Sequence, residues 1–284
     1  MGGEVTTLAQ RVPWGAGQVA GAQGKSGAMD SPGQPEPEPE PQSGPEREAE
    51  REAAGDDEGD DRRAVTLGGD AGVLHVEEAY WSDDPRARGS GTGATLWEGS
   101  VLLARHLVRM HGGHGGGGTL RGRALELGCG CSAVPSLAAA RLGCFSEVIA
   151  TDGGDEAVED NLVDLQRNIE ANARPTDCCP IRVQRLEWGA AAAAGLSPPL
   201  DCLLASEVVY EAQCVPLLLD TLHALSSPST LILLFVSERN QAASAAFWAA
   251  APERFAVERV GPEPLDAEAP LAARQQGVFQ LSRR

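Results

Sequence analysis

The densest group of residues able to do chemistry is Ala124-Leu-Glu-Leu-Gly-Cys-Gly-Cys-Ser-Ala133, an apolar stretch that breaks at Gly128 and Gly130 and runs into a segment of helical period. Glycines let the main chain turn sharply and approach a ligand, and the first amides of a following helix are donors for polar or anionic groups. A G-x-G pair alone is a weak signal, and Ser132 or Ala133 at the place of a third glycine leaves a dinucleotide turn open. Two carboxylates narrow the reading. Glu126 lies inside the strand, two residues before the first glycine, where a buried carboxylate needs a partner that an ammonium group would supply. Asp152 ends the next apolar run, 22 residues beyond Gly130, where a carboxylate accepts both hydroxyls of a ribose. Together they describe an adenosyl ligand with a cationic end.

Elements that could position these residues follow from the periodicity. From about residue 64 onward, short apolar runs alternate with segments repeating Leu, Val, Ala and Ile at three- and four-residue intervals. That pattern predicts βαβ units and an α/β fold. Strands are expected at 123–127, 147–151 and 181–186. The continuous apolar runs 201–205 and 230–236 are expected in the middle of the sheet, buried on both faces. Helices are expected at 101–110, 132–142, 161–172 and 215–225, and a terminal antiparallel pair at 255–260 and 278–281, separated by a stretch with Gly261, Pro262, Pro264 and Pro270.

Residues 1–64 read differently. A Pro-Glu run and an acidic cluster give this segment 14 acidic and 6 basic residues with few apolar side chains, which predicts a disordered acidic tail in front of one folded domain over 65–284. The whole chain of 284 residues carries a formal charge of -18, which repels phosphate backbones and excludes sequence-independent binding to nucleic acid. No run approaches the roughly 20 apolar residues of a membrane span. Seven cysteines without a C-x-x-C pair disfavour a disulfide framework and a structural metal, and free thiols make the cytosol or nucleus the expected compartment.

Glu126-Leu-Gly-Cys-Gly130 with Asp152 resembles the first two motifs of the class I, seven-stranded S-adenosylmethionine-dependent methyltransferases, over about residues 64–284. More narrowly, Gly91-Thr-Gly-Ala-Thr-Leu-Trp-Glu-Gly-Ser100 and Ser206-Glu-Val-Val-Tyr210 resemble signatures of the methyltransferase-16 family, mostly protein-lysine methyltransferases with a histidine-methylating branch. The resemblance implies a Rossmann-like sheet of seven mostly parallel strands, helices on both faces and a C-terminal antiparallel strand. It also implies S-adenosylmethionine as cofactor, held by Trp97, Glu126, Gly128, Gly130, Asp152, Trp188 and Ser206. Glu207 and Tyr210 are implied as the catalytic pair, Glu207 orienting the acceptor nitrogen and Tyr210 adding a hydrogen bond and a channel wall. The usual D-x-x-Y reads Glu-Val-Val-Tyr here, a form the histidine branch also carries, so the acceptor stands open between lysine and histidine, with lysine favoured by the G-T-G lead-in to Trp97. Ser237-Glu-Arg-Asn240 matches a recurrent family pattern without an assigned role. The expected partner is a protein with a basic face, met by a monomer. Small-molecule methylation, or cofactor binding without turnover, are the rival readings.

Overall fold

A computed structural model describes residues 62–78, 92–113, 120–153, 158–174, 179–189, 195–261 and 276–284, all within the unit Gly59–Arg284. The expected acidic tail thus lies outside the described residues except for its last three, and strand β1 (Arg63–Gly68) already takes in Arg63 and Ala64. The proline-rich stretch before the last strand, 262–275, also lies outside them.

β1 turns through Gly69–Ala71 into β2 (Gly72–Val76), an antiparallel hairpin that stands as its own two-stranded sheet. Alternation buries Val65, Leu67, Leu74 and Val76 on one side. Its turn is held by Arg141, which donates to the carbonyls of Ala71 and Val73, and by Arg174, which donates to that of Asp70.

The main sheet has seven strands: β3 (Gly122–Leu127), β4 (Phe145–Asp152), β5 (Ile181–Arg185), β6 (Cys202–Ser206), β7 (Leu231–Val236), β8 (Phe255–Gly261) and β9 (Gly277–Arg283). Their spatial order is β5-β4-β3-β6-β7-β9-β8, with β3 to β7 parallel and β9 antiparallel to both its neighbours. β6 and β7 are buried along their whole lengths. Among the described residues, five α-helices connect the strands: α1 (Glu98–Gly112), α2 (Val134–Arg141), α3 (Val158–Asn172), α4 (Val215–Leu225) and α5 (Gln241–Arg254).

The period of two along the central strands divides the core between two faces. Leu203, Ala205, Ile232, Leu234 and Val236 pack with Leu218 and Leu222 of α4 and Phe247 of α5. Cys202, Leu204, Leu233 and Phe235 point the other way, onto Leu103 and Leu107 of α1 and Ala139 of α2. Helix α3 packs Leu165 and Ile169 beside the hairpin and Ala150 of β4. Its buried Asn168 and Asn172 tie it to the hairpin and to the turn after β3: Asn172 donates to the carbonyl of His75, and Asn168 to those of Glu77, just past β2, and Cys131.

Helix α5 and the hairpin are the elements the periodicity did not mark. The α5 segment is mostly alanine and offers little apolar contrast between its faces. Its start is set instead by Asn240, whose side chain accepts from the amides of Ala242 and Ala243 at 3.0 and 3.1 Å.

Candidate active site

The chain moves from β3 to β4 on one side of the sheet and later returns to β6 on the other, so the carboxyl end of β3 is a topological switch point where a crevice opens. The turn leaving β3 has Gly128 and Gly130 at φ 64° and 57°, in the left-handed region. Gly130 is required on two counts. Beyond its positive φ, a β-carbon there would lie 2.6 Å from the carbonyl oxygen of Gly93, and that same oxygen accepts from the Cys131 amide at 2.7 Å. The segment leading to Trp97 is thereby fastened onto the glycine turn, and Trp97 is held in turn by its indole N–H donating to the Thr92 carbonyl at 2.8 Å.

One cavity at this end of the sheet is lined by Trp97, Gly128, Gly130, Asp152, Trp188, Ser206, Glu207 and Tyr210, eight of the nine residues marked as site residues from the sequence. Asp152 closes β4, accepts from the Gly153 amide at 3.0 Å and lies beside Asn161 of α3. Trp188 reaches the cavity from beyond β5, its ring 3.2 Å from where a Gly128 β-carbon would stand. Thr92, Gly93, Ser132 and Asn161 also line it. Asn161 is 2% exposed and its Oδ1 has no hydrogen-bond partner among the described residues.

Glu126, the ninth, is not among the lining residues. It is buried at 1% exposure and accepts, at Oε2, from the Ser136 amide at 2.9 Å and the Ser136 hydroxyl at 2.6 Å. The partner anticipated from a ligand is thus already supplied by the start of α2. That helix amide, expected to face a ligand, is spent on Glu126. Burial raises the Glu126 pKa to about 7, against the two bonds from Ser136, and the nearby Asp152 charge adds to the rise. The Cys129 thiol beside it is pushed well up, first by burial and then by the charges of Glu126 and Asp152, so it is no nucleophile.

Glu207, also lining this cavity, is the first residue after β6. Its backbone is left-handed at φ 59°, an uncommon conformation for a residue with a β-carbon. The side chain is 7% exposed; Ser237 donates to Oε2, and Arg239 pairs with the same oxygen at 3.3 Å. The Arg239 guanidinium also lies over the Trp97 ring, 3.8 Å from its centroid. Space for the carboxylate is left by Gly99 of α1, where a β-carbon would come within 2.5 Å of Glu207 Oε1.

Arg239, Ser237 and Asn161 are residues whose roles sequence reasoning missed. For the first two a signal existed. β6 and β7 are parallel neighbours, so a segment just past β7 that mixes a cation with a hydroxyl falls beside the segment just past β6. Asn161 carried none, since its place depends on how α3 crosses the β4 end. Among the described residues, no group of three or more His, Cys, Asp and Glu is arranged to hold a metal ion, and no helix is long and apolar enough to cross a membrane.

The chain is similar in sequence to known proteins. The chain is 30% identical over 197 residues to the protein-lysine N-methyltransferase EFM3 of Chaetomium thermophilum, covering 66% of this chain and 54% of that protein. It is 30% identical over 171 residues to the protein N-lysine methyltransferase METTL21A of Danio rerio, covering 60% of this chain and 72% of that protein. The chain therefore spans about half the length of the first of these relatives. Among solved structures, the SAH-bound methyltransferase PaMTH1 of Podospora anserina aligns over 87% of this chain and 99% of its own, at 15% identity and a TM-score of 0.42. The profile of the methyltransferase-16 family, described as lysine methyltransferase, matches residues 85–252, which run from before Trp97 through both glycines, Asp152, Glu207 and Arg239 into α5. With more than half of its residues matched by that profile, the chain belongs to the lysine methyltransferase family.

Proposed function

We propose that this protein transfers a methyl group from S-adenosylmethionine to the ε-amine of a lysine in a protein substrate. The observation that carries the reading is that one cavity takes in two dissimilar groups of residues, ordered by the neighbouring strands β4, β3 and β6. Asp152 and the glycine turn, past β4 and β3, are suited to an adenosyl group. Glu207 and Tyr210, past β6, are suited to an amine.

The residues present fit that cofactor. Gly93 and Gly130 line the cavity at the turn that leaves β3, Asp152 stands at a strand end as a ribose acceptor would, and the orphaned Oδ1 of Asn161 would accept from a donor on the ligand. Trp97, Gly128, Gly130, Asp152, Trp188 and Ser206 would hold it by contact, while Glu126, one layer below, would act on a cationic end through its field. When bound, S-adenosylmethionine would supply a methyl carbon on a sulfonium, its carbon–sulfur bond breaking to leave a neutral thioether as an amine lone pair forms the carbon–nitrogen bond. The protein's own task is positioning. Glu207, fixed by Ser237 and Arg239, orients the acceptor nitrogen, and Tyr210 walls its approach. The lysine must arrive neutral, and a partly dry channel favours that form. The acidic surface suits a substrate with a basic face, and a reducing compartment suits the free thiols.

The test is transfer of tritiated S-adenosylmethionine label to cell lysate by wild type, Glu207→Ala and Gly128→Arg, with mass spectrometry of labelled bands. Lys25 is the one lysine of this chain, so Lys25→Arg removes any labelling of the enzyme's own lysine as background. A mark on a substrate lysine, absent with both variants, is the expected result. A mark on histidine overturns the acceptor, and cofactor binding without any labelled product overturns the enzyme.

A further inference from the structure

A second cavity lies against the first and shares two of its walls, Glu207 and Arg239. The remainder of its lining includes Glu98 and Leu102 of α1, Phe235, and Glu238 and Gln276. The shared pair therefore stands where a compartment lined by the glycine turn and Asp152 adjoins one lined by the carboxylates of Glu98 and Glu238. An amine entering past Glu98 and Glu238 would meet Glu207 at this partition.

The partition poses a chemical difficulty. An alkylammonium beside a lone carboxylate is held in its charged form, since an opposite charge within about 4–6 Å shifts a pKa by 1–3 units in the direction that keeps the pair ionised. Such an ammonium has no lone pair with which to attack. The Arg239 guanidinium is seated so as to remove the difficulty. It takes the Oε2 oxygen of Glu207 at 3.3 Å, while its face rests on Trp97 at 3.8 Å, leaving a pair of zero net charge where a single negative charge would otherwise stand. Ser237 donates to the same oxygen. Glu207 then keeps Oε1 able to accept a hydrogen bond from an amine without favouring the ammonium.

We infer that Arg239 is the positioning residue that sets the protonation state of the acceptor: by pairing with Glu207 at the junction of the two cavities, it makes the site select a neutral amine. This rests on the lysine reading above and deepens it. Arg239 acts through Glu207 and needs no contact with the transferred methyl.

The experiment follows kcat against pH at saturating substrate, the probe being a peptide around the lysine marked in the lysate assay, for wild type, Arg239→Gln and Arg239→Lys. Arg239→Gln is expected to move the acid limb up by about one unit or more, a roughly tenfold loss of kcat near pH 7.5 that is recovered on raising the pH, with KM unchanged or lower. Arg239→Lys, which keeps the cation, is expected to stay within about a factor of three of wild type. A readout without turnover is proton release when the same peptide binds cofactor-free protein, measured by calorimetry in buffers of differing ionisation enthalpy: wild type releases a proton that Arg239→Gln does not. Should Arg239→Gln not fold, Trp97→Leu removes the ring beneath the guanidinium and is expected to shift the limb the same way by less. A uniform loss of kcat at every pH, or equal proton release by wild type and Arg239→Gln, overturns the inference while leaving methyl transfer intact. Failure of wild type to label any protein overturns the methyl-transfer reading itself, and the inference with it.

Discussion

The Cys131 amide donates to the carbonyl of Gly93 at 2.7 Å, so the segment that carries Trp97 is bolted to the glycine turn rather than laid loosely across it. That bond exists only because Gly130, one residue earlier, has no β-carbon to strike the same oxygen. Gly130→Ala must both adopt a positive φ and displace Gly93. The variant is expected to lose about 1–3 kcal/mol of stability and to bind S-adenosylmethionine at least tenfold more weakly, with Trp97 displaced from its place. Urea unfolding and calorimetric titration check it, and wild-type affinity would show that the two segments are not coupled.

Glu207 combines a buried carboxylate with a strained backbone, and two substitutions separate them. Both Glu207→Ala and Glu207→Gly remove the carboxylate and are expected to be inactive. Alanine keeps the cost of φ 59° and glycine relieves it, so Glu207→Gly should be more stable than Glu207→Ala by about 1 kcal/mol. At an ordinary position the order would be reversed, and that reversed order in a denaturant melt is the result that would sink the argument.

Glu126 makes stability depend on pH. Its folded pKa, raised by burial to about 7 from an ordinary 4.5, means that the folded state holds the proton more tightly than the unfolded chain. Its contribution is therefore fully present below about pH 4.5 and lost as pH rises through 7. Relative to Glu126→Gln, which stays neutral, the cofactor-free wild type is expected to lose about 3 kcal/mol across that window. Melting curves of both proteins between pH 4.5 and 8 provide the comparison. Parallel curves would mean that Glu126 is charged and compensated throughout.

Asn240 sets the start of α5 by accepting from two amides, one residue after Arg239. Asn240→Ala is expected to cost about 1 kcal/mol, and Asn240→Asp, which retains the acceptor oxygen, close to nothing. Equal losses in chemical denaturation would place the helix start under tertiary control alone.

How far these features were legible in the sequence varies element by element. The parallel core was legible because β6 and β7 are buried on both faces and so read as unbroken apolar runs, while α1 and α4 show a periodic stripe. Helix α5 was not, because a run of alanines has high helix propensity but no contrast between faces. The β1–β2 hairpin also escaped, being two short strands whose apolar faces matter only once α1, α2 and α3 are there to cover them.

The sequence by itself determined the features that the proposed function assigns to an adenosyl group. A strand, two glycines and a carboxylate ending the next strand are local features whose meaning follows from backbone freedom and from adjacent parallel strands. Only the tertiary structure decided the surroundings of Glu207, the proposed acceptor site. Glu207 and Arg239 belong to segments separated by α4 and β7, and their shared position follows from β6 and β7 lying side by side in the sheet. It also decided that Glu126 lies beneath the cavity, paired with Ser136, because spacing along a strand says which residue is buried but not which neighbour satisfies it.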